Sequence, residues 1–306
     1  MSNNDFEKEW RSLTIADDFI FGRVFSDEKL CKRLIEILLH VKVDSLKIPP
    51  EYQKTFQSGI SAKGVRFDVY TESADKAFDI EIQTSKQKDL PLRMRYYQSS
   101  MDTSLIRKGQ NFSDLKQTYV LFICTEDPFD YGEAVYEIET TIKNHPECKF
   151  NDNRKEVVYN VNAFEKLDDC AEKFVLEYIK TGEVKMDFVE EIDKKVEEIK
   201  NDEYWKNNYI NIQMWKMDAI NEGKTKGFEQ GRQEGLKYGL KQGVKRGLKQ
   251  GIQEGIAQGL KQGIQEGVAQ GIEQQKAEDE KLIAQKDIEI AELKEKLTTF
   301  MNNIQN

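Results

Sequence analysis

Apolar residues in the first part of the chain follow two periods. Leu30, Leu34, Ile35, Leu38 and Leu39 recur at three- and four-residue spacing after Asp27, which puts them on one face of a helix. Pro49-Pro50 ends that stretch. Val65–Thr71 and Ala77–Gln83 alternate apolar with polar residues, the pattern of half-buried strands. Pro91 stands where a helix can begin, with Met94, Tyr97, Met101 and Leu105 spaced for one face. Thr118–Cys124 is a continuous apolar run suited to a strand covered on both sides. Glu133–Lys143 reads as a helix, Val157–Val161 as a short strand and Cys170–Ile179 as another helix. This order predicts an α/β fold, a mixed sheet with helices packed on it.

The pattern then changes. Glu183–Glu203 holds nine Asp/Glu against four Lys, which predicts a solvated helix leading into Tyr204–Ile220. Thirteen of the 19 glycines follow at every fourth residue from Gly223 to Gly271. Within that tract Gly247–Gln258 and Gly259–Gln270 are consecutive twelve-residue units that differ only at Ile256 against Val268. Each four-residue step overshoots the ~3.6-residue turn, so glycines and the aliphatic residues after them form neighbouring right-handed stripes on a helix. Each interior glycine costs about 1 kcal/mol relative to alanine. Such a helix therefore needs association to hold it, and the alternative is a flexible linker. Ile283, Ile290, Leu297 and Ile304, with Leu293 and Phe300, suggest a short coiled coil or a lone amphipathic helix. The organisation expected is a globular domain over 1–182, an acidic helical connector over 183–221, the glycine repeat over 222–274 and a short coiled coil over 275–306.

Composition narrows the chemistry. No run reaches the ~20 apolar residues of a membrane span. Met1–Trp10 is acidic and lacks the apolar core of a secretory signal. Cys31, Cys124, Cys148 and Cys170 form no C-x-x-C pair, so reduced thiols in a cytoplasm are expected. Only two histidines, His40 and His145, are present, which disfavours triad catalysis and paired Cys/His zinc sites. Carboxylates remain.

They gather in Val65–Gln83, VRFDVYTESADKAFDIEIQ. With the turn at Ser73–Lys76, Asp68 opposes Glu81, Arg66 opposes Gln83 and Tyr70 opposes Asp79. Directly opposed residues share a face. Val65, Phe67, Val69, Phe78, Ile80 and Ile82 would form the other, apolar face. Two opposed carboxylates repel unless a cation sits between them, and Mg²⁺ accepts oxygen ligands while keeping several waters. Asp68, Glu81 and the Ile82 carbonyl would hold it, with Gln83 orienting water or phosphate. The alternative is a solvent-facing strand pair with no chemistry.

RFD, twelve residues, then EIQ resembles the active-site pattern of PD-(D/E)xK nucleases in the variant with glutamine for the terminal lysine. Asp17-Asp18-Phe19-Ile20-Phe21-Gly22-Arg23-Val24-Phe25 resembles the opening D-x-x-F-K-x-x-F of the recombination-promoting nuclease branch, also called PD-(D/E)xK nuclease family transposases. Arg93-x-x-Tyr96-Tyr97 is similar to its R-x-x-Y-Y helix. The likeness covers roughly residues 14–180, and glycine-every-fourth tails are frequent in this branch. It implies a restriction-endonuclease-like core and a Mg²⁺-dependent (or Mn²⁺-dependent) DNA endonuclease promoting recombination or element mobility. Asp68 and Glu81 would bind metal, Gln83 would replace the lysine, and Asp18 would contribute from the first core helix. Gly22 departs from the pattern, which has lysine there.

A formal net charge of −9 opposes DNA binding, because phosphate contacts dominate affinity. Lys86–Gln110 is locally positive, however, with six Lys/Arg against two Asp. Arg66, Arg93, Arg95 and Tyr97 are the expected substrate contacts, against a purely solvated charged helix. Homo-oligomerisation through residues 222–306 is expected. A second class of function is a catalytically weak or inactive DNA-binding scaffold that keeps the fold.

Overall fold

The computed structural model describes residues 3–56 and 63–304. Three helices open the chain: α1 (Asn3–Ser12), α2 (Asp18–Val24) and α3 (Glu28–Leu39). Asp27 caps α3 by accepting the Lys29 and Leu30 amides, and its Leu30, Leu34, Ile35, Leu38 and Leu39 are buried as one face. Then come β1 (Ile48–Phe56), β2 (Val65–Glu72), β3 (Lys76–Gln83), α4 (Leu90–Leu105), β4 (Gln117–Cys124), β5 (Val135–Ile138) and β6 (Arg154–Asn160). Helices α5 (Ala171–Thr181), α6 (Asp187–Lys200) and α7 (Glu203–Ile304) complete it.

The six strands form one mixed sheet in the order β1-β2-β3-β4-β6-β5. The β1–β2 and β2–β3 pairs are antiparallel, β3–β4 and β4–β6 are parallel, and β5 closes the far edge antiparallel to β6. On one face α1–α3, α5, α6 and the first turns of α7 pack against Val69, Phe78, Ile80, Ile82, Tyr119, Leu121 and Ile123. On the other, Leu90, Met94 and Met101 of α4 pack against Val65, Phe67, Tyr70, Val120 and Phe122.

Several expectations need correction. The β2–β3 hairpin does not have one apolar and one solvated face. It lies inside the sheet, and both of its faces are covered. Val65 and Phe67 also leave the face of Val69 and join α4's side. Glu133–Lys143 is no helix; its Val135, Tyr136 and Ile138 pair with β6 as an edge strand, which suits β-branched and aromatic residues. Pro49 and Pro50 fall in edge strand β1, where a register shift between Ile48 and Glu51 absorbs the missing amide donors. The acidic segment after Glu183 is not simply solvated. Phe188, Val189, Ile192, Val196 and Ile199 of α6 are buried against the core, while its charges face outward.

The chain divides into two compact units, residues 1–218 and 219–306. In the second, α7 is helical through every repeat glycine, so the helical alternative is the one observed. Its aliphatic positions remain uncovered, for example Leu248, Ile256 and Leu260. The last two expected seam positions, Phe300 and Ile304, have side chains outside the described residues.

Gly22 has a packing reason. A Cβ built there would lie 1.8 Å from Cδ2 of Tyr52, so the β1 tyrosine fills the space a side chain would use. The adjacent Arg23 does not reach toward the sheet's carboxylates. Its guanidinium stacks over Tyr52 at 4.4 Å and Trp205 at 4.3 Å. Gly22→Ala should therefore lower stability by about 1–3 kcal/mol through overpacking. Gly22→Ala combined with Tyr52→Ala should show less than the sum of the two single losses in urea unfolding, and simple additivity would count against this contact.

Candidate functional site

β2 and β3 pair Val69 with Ile80, Tyr70 with Asp79, Thr71 with Phe78 and Glu72 with Ala77, the register expected from a turn at Ser73–Lys76. Ser73 closes the turn: its amide donates to the Lys76 carbonyl at 2.8 Å, and its hydroxyl accepts the Lys76 amide at 3.0 Å. Beyond Val69–Ile80 the backbone ladder stops and side chains take over. The Asp68 amide donates to Glu81 Oε1 at 2.7 Å, and the Ile82 amide donates to Asp68 Oδ2 at 3.2 Å. Each carboxylate thus occupies a donor on the opposite strand.

The change begins at Asp68, where the side-chain alternation of β2 breaks. Phe67 and Tyr70 stack on the same face with ring centroids 5.6 Å apart, while Val69 points to the other core. Across on β1, Gln53 adopts a left-handed backbone with φ of 56°.

The two carboxylates border a cavity of about 270 Å³. Asp18, Arg66, Asp68, Glu81, Ile82, Gln83, Arg93 and Tyr97 all line it. The strands supply five of these residues, α4 supplies Arg93 and Tyr97, and the N-terminus of α2 supplies Asp18. Arg95 does not join them. It lies on the exposed side of α4 and lines a separate cleft with Gln98, Asp102 and Thr118. A helix turns about 100° per residue, so positions 93 and 97 share a face that 95 cannot.

Two further residues line the cavity that were not expected there, Thr84 and Asp17, the latter already part of the D-x-x-F-like stretch. A third acid, Asp79, lies beneath them. It shares Glu81's side of β3, a relation already legible in the two-residue spacing, but only the covering by α4 seals it from water. Both Asp79 oxygens are buried without a donor. Burial foremost, then the charge of Asp68, raises its carboxyl well above the usual range. Glu81 is likewise raised well above its ordinary value by burial and by Asp79 and Asp68. Asp68 is pushed up to about 7, mainly by burial and further by Asp18, against the Ile82 amide, Arg66 and Arg93, which pull it down.

Of the two cavity guanidiniums, Arg93 and Arg66, Arg93 makes the direct contacts. Arg93 donates Nη1 to Gln83 Oε1 at 2.5 Å and Nη2 to the Tyr97 hydroxyl at 3.1 Å, and Nη2 lies 4.0 Å from Glu81 Oε2. Tyr97 is held between Phe67 and Phe122, and burial with the Glu81 charge pushes its phenol up to about 12. A surplus of buried carboxylates over cations, with both Asp79 oxygens lacking a partner among the described residues, fits a hard divalent ion with oxygen ligands. Among the described residues no three His, Cys, Asp or Glu side chains form a ready cage. The protein ligands would be Asp68 and Glu81, with Ile82 at the same wall, and water would complete the shell.

Opposed carboxylates at the end of an open strand pair, backed by a guanidinium and an amide on a mixed α/β sheet, define a nuclease-like core. Residues 15–187, more than half of the chain, match the family described as PD-(D/E)XK nuclease family transposase, and the chain belongs to that family. No curated protein and no solved structure matches it.

The raised carboxyls fix a pH dependence. The folded protein binds protons that the unfolded chain has released above the ordinary Asp value, so stability falls as pH rises from about 4 toward about 7. In EDTA the melting temperature should be several degrees higher at pH 5.5 than at pH 8. Asp68→Asn should flatten that slope, and an unchanged slope would count against the charge crowding.

Proposed function

We propose that this protein is a divalent-metal-dependent DNA endonuclease that hydrolyses phosphodiester bonds, acting in the cytoplasm to promote recombination or mobile-element transfer. The observation that carries it is the Asp68–Glu81 exchange, which places two partly ionisable carboxyls on one cavity wall in a family of nucleases. Mg²⁺ (or Mn²⁺) would supply a more acidic bound water and positive charge against the developing phosphate charge. The chain's own residues do the rest. Asp68 and Glu81 would hold the ion only in their deprotonated forms, which ties activity to rising pH. Gln83 stands where related nucleases carry lysine, and its carbonyl oxygen is held by Arg93. Arg93 thereby brings a permanent cation to a place where glutamine has none, and with Arg66 it meets the scissile phosphate. Asp18 adds an acid from α2. The phosphate's path past Tyr97 is lined by a neutral hydroxyl that can donate.

Plasmid nicking tests this. Wild type should nick in Mg²⁺ or Mn²⁺, Asp68→Ala and Glu81→Ala should each lose at least about a hundredfold, and DNA binding should persist. Arg93→Ala should lose activity comparably, whereas Arg93→Lys should keep part of it. No wild-type nicking in either metal, with DNA still bound, would favour the second reading: a scaffold that retains the fold, for which the absent lysine at position 83 is the specific observation.

The proposal extends to the tail. An uncovered aliphatic stripe beside glycines, on a helix whose glycines disfavour it alone, supports self-association through residues 222–306. Removing those residues should lower the solution mass to that of one truncated chain; an oligomer of unchanged number would sink this assignment.

A further inference from the structure

The R-x-x-Y-Y stretch places its two tyrosines in opposite situations. Tyr97 is packed between Phe67 and Phe122 beneath the cavity. Tyr96 points outward and is 40 % exposed, with Leu92, one helical turn earlier, 58 % exposed. Arg95 and Ser99 are also exposed, so Leu92, Arg95, Tyr96 and Ser99 form an outer stripe of α4 about 10 Å long. The Tyr96 hydroxyl donates to the Lys63 carbonyl at 2.7 Å, which fixes the ring and brings a lysine beside it. Lys63, Lys88 and Arg95 have no ion-pair partner among the described residues. An exposed apolar pair, a fixed aromatic ring and unpaired cations thus adjoin the cavity wall made by Arg93 and Tyr97. The chain as a whole is acidic, so this local positive charge is a departure that matches a polyanion.

We propose that the outer face of α4 is a stacking platform for single-stranded DNA. Resting on the nuclease reading of the cavity, it takes about three bases next to the strand position that enters among the carboxylates, at ~3.4 Å per base. Tyr96 and Leu92 contact base faces; Lys63 and Arg95 meet the flanking phosphates. A single strand is the fitting occupant because stacking needs base faces that a duplex hides. The pinned ring loses little rotational freedom on binding, which favours affinity. Stacking reads no base edge, so this surface adds affinity and position without sequence preference.

Fluorescence anisotropy with the full-length protein, a labelled mixed-sequence single strand and EDTA tests it without cleavage. Tyr96→Ala should weaken single-strand binding about tenfold. Tyr96→Phe and Tyr96→Trp, which keep an aromatic face but lose the Lys63 contact, should both bind clearly tighter than Tyr96→Ala. Arg95→Ala should reduce the slope of log affinity against log salt by about 0.7. The matching duplex should lose less than the single strand with Tyr96→Ala. Tyr96→Ala binding the single strand like wild type, equal losses on single strand and duplex, or no single-strand binding by wild type overturns the platform. Nicking by wild type without any Tyr96 effect would leave the nuclease assignment standing and remove the platform. Tyr96-dependent binding without nicking in Mg²⁺ or Mn²⁺ would do the reverse.

Discussion

Negative charge enclosed between two packed layers is the constraint around which this domain is built. Asp68, Asp79 and Glu81 sit on or beneath one wall of the sheet, and water is kept from most of their surface. Such charges are tolerable only if they hold protons, gain donors or meet a cation. All three solutions are visible in the structure. Asp79 has no donor and is held toward its neutral form. Asp68 and Glu81 each take a backbone amide from the other's strand. Arg93 stands near Glu81. The backbone ladder gives way where these carboxylates begin, so the site is made by substituting side-chain acceptors for main-chain ones.

That substitution needs a rigid frame. β3 is central, with β2 on one side and β4 on the other, and its parallel pairing with β4 runs the length of the strand. Glu81 and Gln83 are therefore fixed by a continuous ladder, while Asp68 lies on the strand whose alternation breaks. α4 covers the carboxylates and delivers Arg93 and Tyr97 to the cavity from one helical face. Its opposite stripe stays in solvent. The same helix thus closes the site and presents a surface beside it.

The other layer has a different task. α2 brings Asp18 to the cavity rim, and Tyr52 occupies the space that Gly22 leaves open. Arg23 is enclosed by Phe19, Tyr52 and Trp205, so the residue next to the family's usual lysine position serves packing between α2, β1 and the first turns of α7. Arg23 Nε is buried without an acceptor, a polar group balanced only by aromatic faces.

Local chemistry written in the sequence settled much of this. The period of apolar residues was enough for α3, β2, β3, α4, β4 and α5, and turn residues set the β2–β3 register that opposes Asp68 to Glu81. The spacing of Arg93 and Tyr97 put both on one side of α4, whereas the glycine repeat left helix and flexible linker open until the structure showed α7 helical through it. Tertiary structure alone decided which faces were covered. Alternation on β2 suggested one wet side, yet sheet order buried the hairpin on both sides, because β3 lies between strands and beneath a helix. Val135–Ile138 became a strand because β6 offered an unpaired edge. The apolar face of α6 found the core despite its surrounding acids. Arg95 was separated from Arg93 by helical rotation, and Asp79 became a charge problem only when α4 closed over it. Periodicity describes how residues are arranged along an element, whereas burial depends on what that element meets.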